Sequence, residues 1–274
     1  MNNTDFADNL PINHDTKAAQ NLSLLLLVLM SLASLAGLLL PDMIYPSEEL
    51  VESYRANDAV NLILGVPVLL ASISLVRRGS LTGLLLWPGA LLYTFYNYTA
   101  YLFGIPLRAI TLVNAVIVLL SAYLIFSVSQ NIDGEAVKER LGEVVRENIG
   151  GWVLVAFGIM FILRAASVIL VPLMDGTSLP ISEVGLSIAD GVLSILWIVG
   201  GIALLRQLPV GYASGLGLLF AGSALFIGLL LFFVLQPLLT SAPFVMEDAV
   251  VILVMGLFCF VPFGLYLRAV IVEK

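Results

Sequence analysis

The chain has 274 residues, of which 60% are hydrophobic and only 11% are charged, whereas soluble domains carry about 25% charged residues. A water-soluble domain of this length has too little interior to bury so much apolar surface, so lipid must surround most of these side chains and a large soluble domain is excluded. The net charge of −7 becomes informative only once each charge is assigned to a side of the membrane.

Residues 1–21 form a polar, acidic tail that lacks the basic start of a secretory signal. The first apolar run is therefore expected to be a membrane span rather than a cleaved segment. The one histidine, His14, lies in this tail, and the one cysteine, Cys259, lies in an apolar run. We therefore expect no metal site built on histidine and cysteine, and no disulfide within the chain.

A transmembrane helix needs about 20 apolar residues to cross the ~30 Å hydrocarbon core of a bilayer. Glycine and proline between several of the apolar runs mark helix ends. Runs of sufficient length lie at 22–40, 58–76, 81–103, 107–129, 151–172, 188–205, 211–236 and 247–268. The sequence therefore predicts an all-α integral membrane protein of about eight transmembrane helices.

The basic residues separate to the two sides of these spans. Arg55 and Arg108 fall on one side, and Arg164 lies inside a span. The other nine fall on the side of the N-terminus: Lys17, Arg77, Arg78, Lys138, Arg140, Arg146, Arg206, Arg268 and Lys274. Because cytoplasmic loops are enriched in lysine and arginine, this distribution predicts a plasma (inner) membrane protein with both termini in the cytoplasm.

The one long cytoplasmic connection, residues 130–150, separates the first four spans, in residues 22–129, from the last four, in residues 151–274. Apolar side chains recur in it at helical spacing: Val137, Leu141, Val144, Val145 and Ile149. Such a pattern is typical of an amphipathic helix at the membrane interface. We expect this helix to join the two halves, with binding of a cytoplasmic protein partner as the alternative.

The two halves resemble each other when the sequence is shifted by 132 residues. Asp58 then aligns with Asp190, and Gly83 aligns with Gly215. Each half has four predicted spans and so starts and ends in the cytoplasm, which makes the predicted repeats parallel rather than inverted. The alternative is that both halves follow the same helix-packing rules without a common origin.

Carboxylates concentrate on the predicted outer face, and Asp58, Asp190 and Asp248 stand just before spans that begin there. A carboxylate at a helix N-terminus is stabilised by the helix dipole by about 0.3–1 kcal/mol, which is sufficient to explain each of them. A vestibule that concentrates cations is the functional alternative.

Arg164 lies about eight residues from the outer end of its span, or ~12 Å deep at about 1.5 Å per residue. An ionised guanidinium at this depth costs several kcal/mol unless it meets water or a partner. Its counterpart in the first half is Leu32. The sequence therefore indicates a functional site, with a structural ion pair to Asp58 or Asp190 as the alternative.

Tyr93, Tyr96, Asn97 and Tyr101 follow one face of the third span, and Asn61 lies one turn after Asp58 in the second span. Polar groups inside the membrane need partners, so this face is expected to point inward, although an interfacial aromatic belt explains part of it. With the arginine they would line an outward-opening cavity for a small anionic or hydroxylated ligand. The predicted cavity residues are Arg164, Asp58, Asn61, Tyr93, Tyr96, Asn97, Tyr101, Asp190 and Asp248.

The sequence contains no phosphate-binding glycine loop, no Ser-His-Asp set and no basic patch for nucleic acid. It therefore identifies no catalytic residue, metal ligand, cofactor or oligomeric state. The pattern favours a transporter- or channel-like protein for a small ion or polar solute. The alternatives are a membrane ligand receptor or membrane-complex subunit, and an intramembrane lipid-modifying enzyme that uses Asp58 or Asp190.

Overall fold

The computed structural model of the protein describes residues 10–272, which form eleven α-helices, one π-helical turn and one isolated bridge between Ile12 and Ile132. The π turn, Asn61–Gly65, joins α3 to α4. The helices are α1 Lys17–Leu39, α2 Pro41–Ile44, α3 Glu48–Val60, α4 Val66–Arg77, α5 Leu81–Gly104, α6 Ala109–Asn131, α7 Gly134–Leu141, α8 Glu147–Asp175, α9 Ile181–Leu205, α10 Pro209–Leu239 and α11 Met246–Val272.

Seven stretches among the described residues are long and apolar enough to cross a membrane. They are α1, α6, α8, α9, α10, α11 and the continuous stretch Glu48–Arg77, which contains α3, the π turn and α4. Large apolar side chains on these helices face outward, including Leu119 (70% exposed), Leu163 (64%) and Phe258 (65%). The protein is therefore an all-α, multi-pass membrane protein whose apolar helices contact the bilayer.

Helix α5 has 24 residues but is not among the seven apolar stretches. Tyrosine, threonine and asparagine in its second half lower its mean hydropathy. It is nevertheless the central helix, because 17 of its 24 residues are buried and it packs against α4, α6, α9 and α10. Helices surround it in place of lipid, so its polar side chains find protein partners.

The second central helix, α10, crosses α5 at a point where both chains carry glycine. A Cβ atom on Gly89 would run into the backbone of Gly217, and a Cβ on Gly217 would lie 2.9 Å from the carbonyl oxygen of Leu85. Small residues at such crossings let two helix backbones approach closely inside a membrane protein. Next to this contact, fully buried Trp87 donates a hydrogen bond from Nε1 to Ser23 Oγ at 3.1 Å.

Residues 130–150 differ from the single amphipathic helix that the sequence predicted. The helix there, α7, has only eight residues, with Asp133 capping its start and Gly142 following its end. Val137, Leu141 and Val145 are buried against the start of α10 and neighbouring core residues, whereas the other two predicted stripe residues are exposed. Three of the five stripe residues therefore pack inside the bundle, and Val144 and Ile149 are the two that remain exposed.

Part of the predicted N-terminal tail is tied to the same region. The amide of Asn13 donates to the carbonyl of Asn131 at 2.9 Å, and the amide of Asp133 donates to the carbonyl of Pro11 at 2.8 Å. The Asn131 side chain adds two hydrogen bonds of 2.7 Å to the backbone of His14. Residues 1–9 of the tail and the C-terminal Lys274 lie outside the described residues.

Candidate functional site

A cavity of about 760 Å³ opens between α3, α5, α8, α9, α10 and α11. It occupies the half of the bundle that the charge distribution assigns to the outside. Among its lining residues, Glu183 and Asp248 belong to the first turns of α9 and α11, and Trp197 belongs to the second half of α9. A space of this size is within the range of small-molecule binding sites.

One wall of the cavity is built around the carboxylate of Asp190, which is only 1% exposed. Arg164 Nη1 donates to Asp190 Oδ2 at 2.6 Å, and the hydroxyl of Tyr96 donates to Asp190 Oδ1 at 2.7 Å. The other arm of the arginine, Nη2, lies 3.5 Å from Glu183 Oε2. Two carboxylates therefore stabilise the guanidinium inside the membrane, and both oxygens of Asp190 have donors.

The neighbouring wall carries side-chain amides. Asn97 Nδ2 donates to the carbonyl of Tyr93 at 2.9 Å, one turn earlier on α5, and Asn57 Nδ2 donates to Asn97 Oδ1 at 3.2 Å. Tyr93 is 1% exposed, and its ring packs beside Gly65 of the π turn. These residues fix the spacing between α3 and α5 along one side of the cavity.

Much of the remaining lining of the cavity is aromatic and aliphatic. The ring centroids of Phe161 and Trp197 are 5.2 Å apart in an edge-to-face arrangement, and those of Phe161 and Phe226 are 6.3 Å apart. Such edge-to-face contacts add about 0.5–1.5 kcal/mol per pair beyond their buried area. Phe161 is one turn before Arg164 on α8, and Trp197 is two turns after Asp190 on α9, so the aromatic surface continues from the ion pair along the same helices.

Six of the nine predicted cavity residues line this cavity: Tyr93, Tyr96, Asn97, Arg164, Asp190 and Asp248. The other three lie behind it. Tyr101 donates to Asp58 Oδ1 at 3.0 Å, and Tyr45 donates to the other carboxylate oxygen. Asn61 is fully buried on the π turn, and its side chain has no hydrogen-bond partner within the described part of the chain.

Several lining residues were not predicted from the sequence. Glu183 stands seven residues before Asp190, which puts both on one face of α9, and this spacing was the signal that could have identified it. Asn57 directly precedes the predicted site residue Asp58, but its own position in the sequence did not indicate that it lines the cavity. Tyr45, which binds Asp58 and does not line this cavity, was also not predicted. It lies in the connection before α3, where helical spacing gives no information about which side chains meet.

Burial, and secondarily the negative charge of Asp58, raises the pKa of the Tyr45 phenol well above its usual range. Tyr45 therefore remains a neutral hydrogen-bond donor at physiological pH. Within residues 10–272, no three histidine, cysteine, aspartate or glutamate side chains lie close enough together to hold a metal ion.

Comparisons with protein-family models, with curated proteins and with solved structures find no match for this chain. Its function must therefore be inferred from the geometry and charge of the cavity.

Proposed function

We propose that this protein is a transporter-like membrane protein that binds a small polar solute, most simply an organic cation, in its outward-facing cavity. The observation that carries the proposal is the cavity itself, a space of about 760 Å³ whose lining combines an ion pair with aromatic rings. On the cytoplasmic side of the cavity, Leu154, Leu204 and Leu219 are at most 2% exposed. A space that is open at one end and closed at the other favours a transporter over an open channel.

The proposed architecture has eight spans, with α5 as the eighth. At 24 residues and about 1.5 Å per residue, α5 is ~36 Å long, enough to cross the hydrocarbon core. An even number of spans keeps both termini in the cytoplasm and leaves nine of the twelve basic residues there. This orientation puts the cavity mouth on the outside of a plasma membrane.

The contacts between helices support two related halves. Helix α1 packs against α6, as α8 packs against α11. Helix α5 packs against α9 in the second half, as α10 packs against α3 in the first, and α5 and α10 cross each other. These matched pairs are what a two-fold axis along the membrane normal would produce. The shared position of Asp58 and Asp190, both at most 2% exposed, supports the same arrangement.

The charge of the cavity favours a cation over the anionic ligand suggested by the sequence. One arginine and three carboxylates line it, Arg164 against Glu183, Asp190 and Asp248, so its formal charge is −2 when all four are ionised. Arg164 is already neutralised by its two acidic partners and does not offer a free charge to an anion. The longer contact to Glu183 and the exposed Asp248 leave these two carboxylates accessible to a ligand.

The aromatic surface suits the apolar part of such a cation. An ammonium group within ~6 Å of an aromatic ring gains about 0.5–2 kcal/mol, with tryptophan the best ring. Trp197, Phe161 and Phe226 supply three rings. A small alkylammonium ion can therefore contact carboxylates with one side and rings with the other.

The test is a thermal-stability screen of the purified protein with tetramethylammonium, methylammonium, acetate and glucose. We expect the two ammonium ions to raise the melting temperature of the wild type and of Asp175→Asn, which removes an exposed carboxylate outside the cavity. The effect should be lost in the double variant Glu183→Gln/Asp248→Asn. Uptake of labelled tetramethylammonium into proteoliposomes should follow the same order.

Stabilisation by acetate alone, or equal stabilisation of all variants by the ammonium ions, would contradict the proposal. Binding without uptake would retain the site but remove the transport function.

A further inference from the structure

Asp58 is a second buried carboxyl group, and it takes no part in lining the proposed ligand cavity. A separate outer pocket of about 550 Å³ lies nearby, lined by Asp42, Tyr45, Glu48, Glu52 and other residues at the outer end of the bundle. Asp58 is 2% exposed and touches neither space directly. It is connected to both of them by hydrogen bonds.

On the outer side the connection is a single hydroxyl group. Tyr45 lines the outer pocket and donates its hydrogen bond to Asp58 Oδ2. The site is built to hold this pair, because a Cβ atom on Gly37 of α1 would collide with both the Asp58 carboxylate and the Tyr45 hydroxyl. Glycine at this position therefore provides the space that the two groups occupy.

On the inner side the connection reaches the ligand cavity. Tyr101 donates to Asp58 Oδ1 at 3.0 Å and receives a hydrogen bond of 3.3 Å from Asn57 Nδ2. The same amide group of Asn57 donates to Asn97 Oδ1 at 3.2 Å. Both asparagines line the cavity. A change at the Asp58 carboxylate therefore reaches the cavity wall through two hydrogen bonds.

Among residues 10–272, no cationic side chain pairs with Asp58, whereas Asp190, its counterpart in the other half, is paired with Arg164. The nearest arginine in sequence, Arg55, donates instead to the carbonyls of Leu38 at 3.3 Å and Leu239 at 2.7 Å, at the ends of α1 and α10.

Within the described part of the chain, the side chains in contact with Asp58 are uncharged. Its titratable neighbours are four phenols: Tyr45 after α2, Tyr54 on α3, and Tyr98 and Tyr101 on α5. Helix α1 contributes the hydroxyl of Ser34 and the glycine Gly37. A buried carboxylate without a cation is costly, and binding a proton removes that cost.

We propose that Asp58 is a proton-binding carboxyl group, loaded from the outer pocket through Tyr45, whose charge state controls the cavity through Tyr101 and Asn57. This inference rests on the proposed transport function and makes that transport proton-coupled. In the loading step a hydronium ion in the outer pocket transfers a proton to the Tyr45 oxygen, while the original Tyr45 proton moves to Asp58 Oδ2. One water molecule is released, and the carboxylate becomes a carboxylic acid.

Protonation changes the hydrogen bonds on the cavity side. Tyr101 no longer faces a negative oxygen, and its hydroxyl can turn to the backbone carbonyl of Tyr54, 3.3 Å away. When the Tyr101 hydroxyl turns, the acceptor that it offers to the Asn57 amide also changes. The Asn57 amide, which lines the cavity, changes position as a result. In this scheme Asp190 and Arg164 remain a fixed ion pair, so the two equivalent aspartates have different roles.

The test is infrared spectroscopy of the purified, lipid-reconstituted protein over the pH range in which it stays folded. We expect a carboxylic-acid C=O band that disappears as the pH rises, is absent in Asp58→Asn and is unchanged in the matched variant Asp190→Asn. Tyr45→Phe should keep the band but slow its shift on transfer to D₂O, because the relay hydroxyl is lost.

An identical pH-dependent band in wild type and Asp58→Asn would overturn the proposal, and so would its loss in Asp190→Asn alone. The readout does not depend on solute flux. A titrating Asp58 band in a protein that moves no tetramethylammonium would remove the transport function and keep the proton site. Tetramethylammonium uptake by a protein that lacks the Asp58 band would keep the transport function and remove the proton site.

Discussion

Arg164 and Asp190 illustrate how one charged residue inside a membrane depends on another. Breaking a buried ion pair from one side leaves an uncompensated charge and costs about 3–5 kcal/mol. The side chain of Arg164 is 39% exposed, so we expect a cost near the lower end of this range. We predict that Arg164→Met lowers the free energy of unfolding by about 3 kcal/mol. Adding Asp190→Asn should restore part of this loss, because the unpaired charge is then removed.

Thermal unfolding followed by circular dichroism measures both effects. Arg206→Met is the control, since Arg206 is exposed at the end of α9 and belongs to none of the ion pairs of the described residues. If the double variant loses as much stability as the two single variants added together, the two side chains do not act as a pair.

At the scale of residues, the sequence predicted a cavity where polar groups inside the membrane are costly, and six of the nine predicted residues line one space. Arg164 and the polar face of α5 stood out because lipid cannot satisfy them. The spacing of Glu183 and Asp190 puts both carboxylates on one face of α9, but whether both of them meet the arginine depends on how α8 and α9 pack. For the same reason the sequence suggested an anionic or hydroxylated ligand, whereas the pairing of the guanidinium with two carboxylates supports the cation proposed above.

The α5–α10 crossing allows a prediction about helix packing. A Cβ atom on Gly89 would collide with the backbone of Gly217, whereas a Cβ on Gly191 in α9 would have nothing within 4 Å. We predict that Gly89→Ala lowers the free energy of unfolding by about 1–3 kcal/mol, the usual cost of overpacking. Gly191→Ala should be neutral or raise it by up to about 1 kcal/mol, because alanine favours helices. Equal effects in thermal unfolding would show that the crossing is not tightly packed.

At the scale of elements, hydrophobic runs predicted the long helices well because length and composition decide whether a segment can cross a bilayer. The connection at 130–150 was harder to interpret. An apolar stripe looks the same in sequence whether it lies on lipid or on protein, and here Leu141 and Val145 are buried in the core. The helix is also shorter than predicted, since Gly142 follows directly after its last residue.

At the scale of the whole molecule, the two central helices carry different chemistry on a similar scaffold. Helix α5 provides the tyrosines that bind both aspartates, Tyr96 for Asp190 and Tyr101 for Asp58. Helix α10 provides apolar rings and small residues. If the halves arose by duplication, the first half retained or gained Asp58 as a proton-binding carboxyl group. The second half acquired Arg164, which forms a fixed ion pair with Asp190.

The number of spans follows from whether α5 crosses the membrane, and its two ends provide a direct test. Arg78, just before α5, and Leu107, just after it, are both exposed, the latter by 83%. The single native cysteine, Cys259, is 2% exposed, so background labelling should be low and Cys259→Ser removes it. We predict that a membrane-impermeant maleimide labels Leu107→Cys in intact cells, and Arg78→Cys only after permeabilisation. Labelling of both positions from the same side would mean that α5 does not span and that the total is seven.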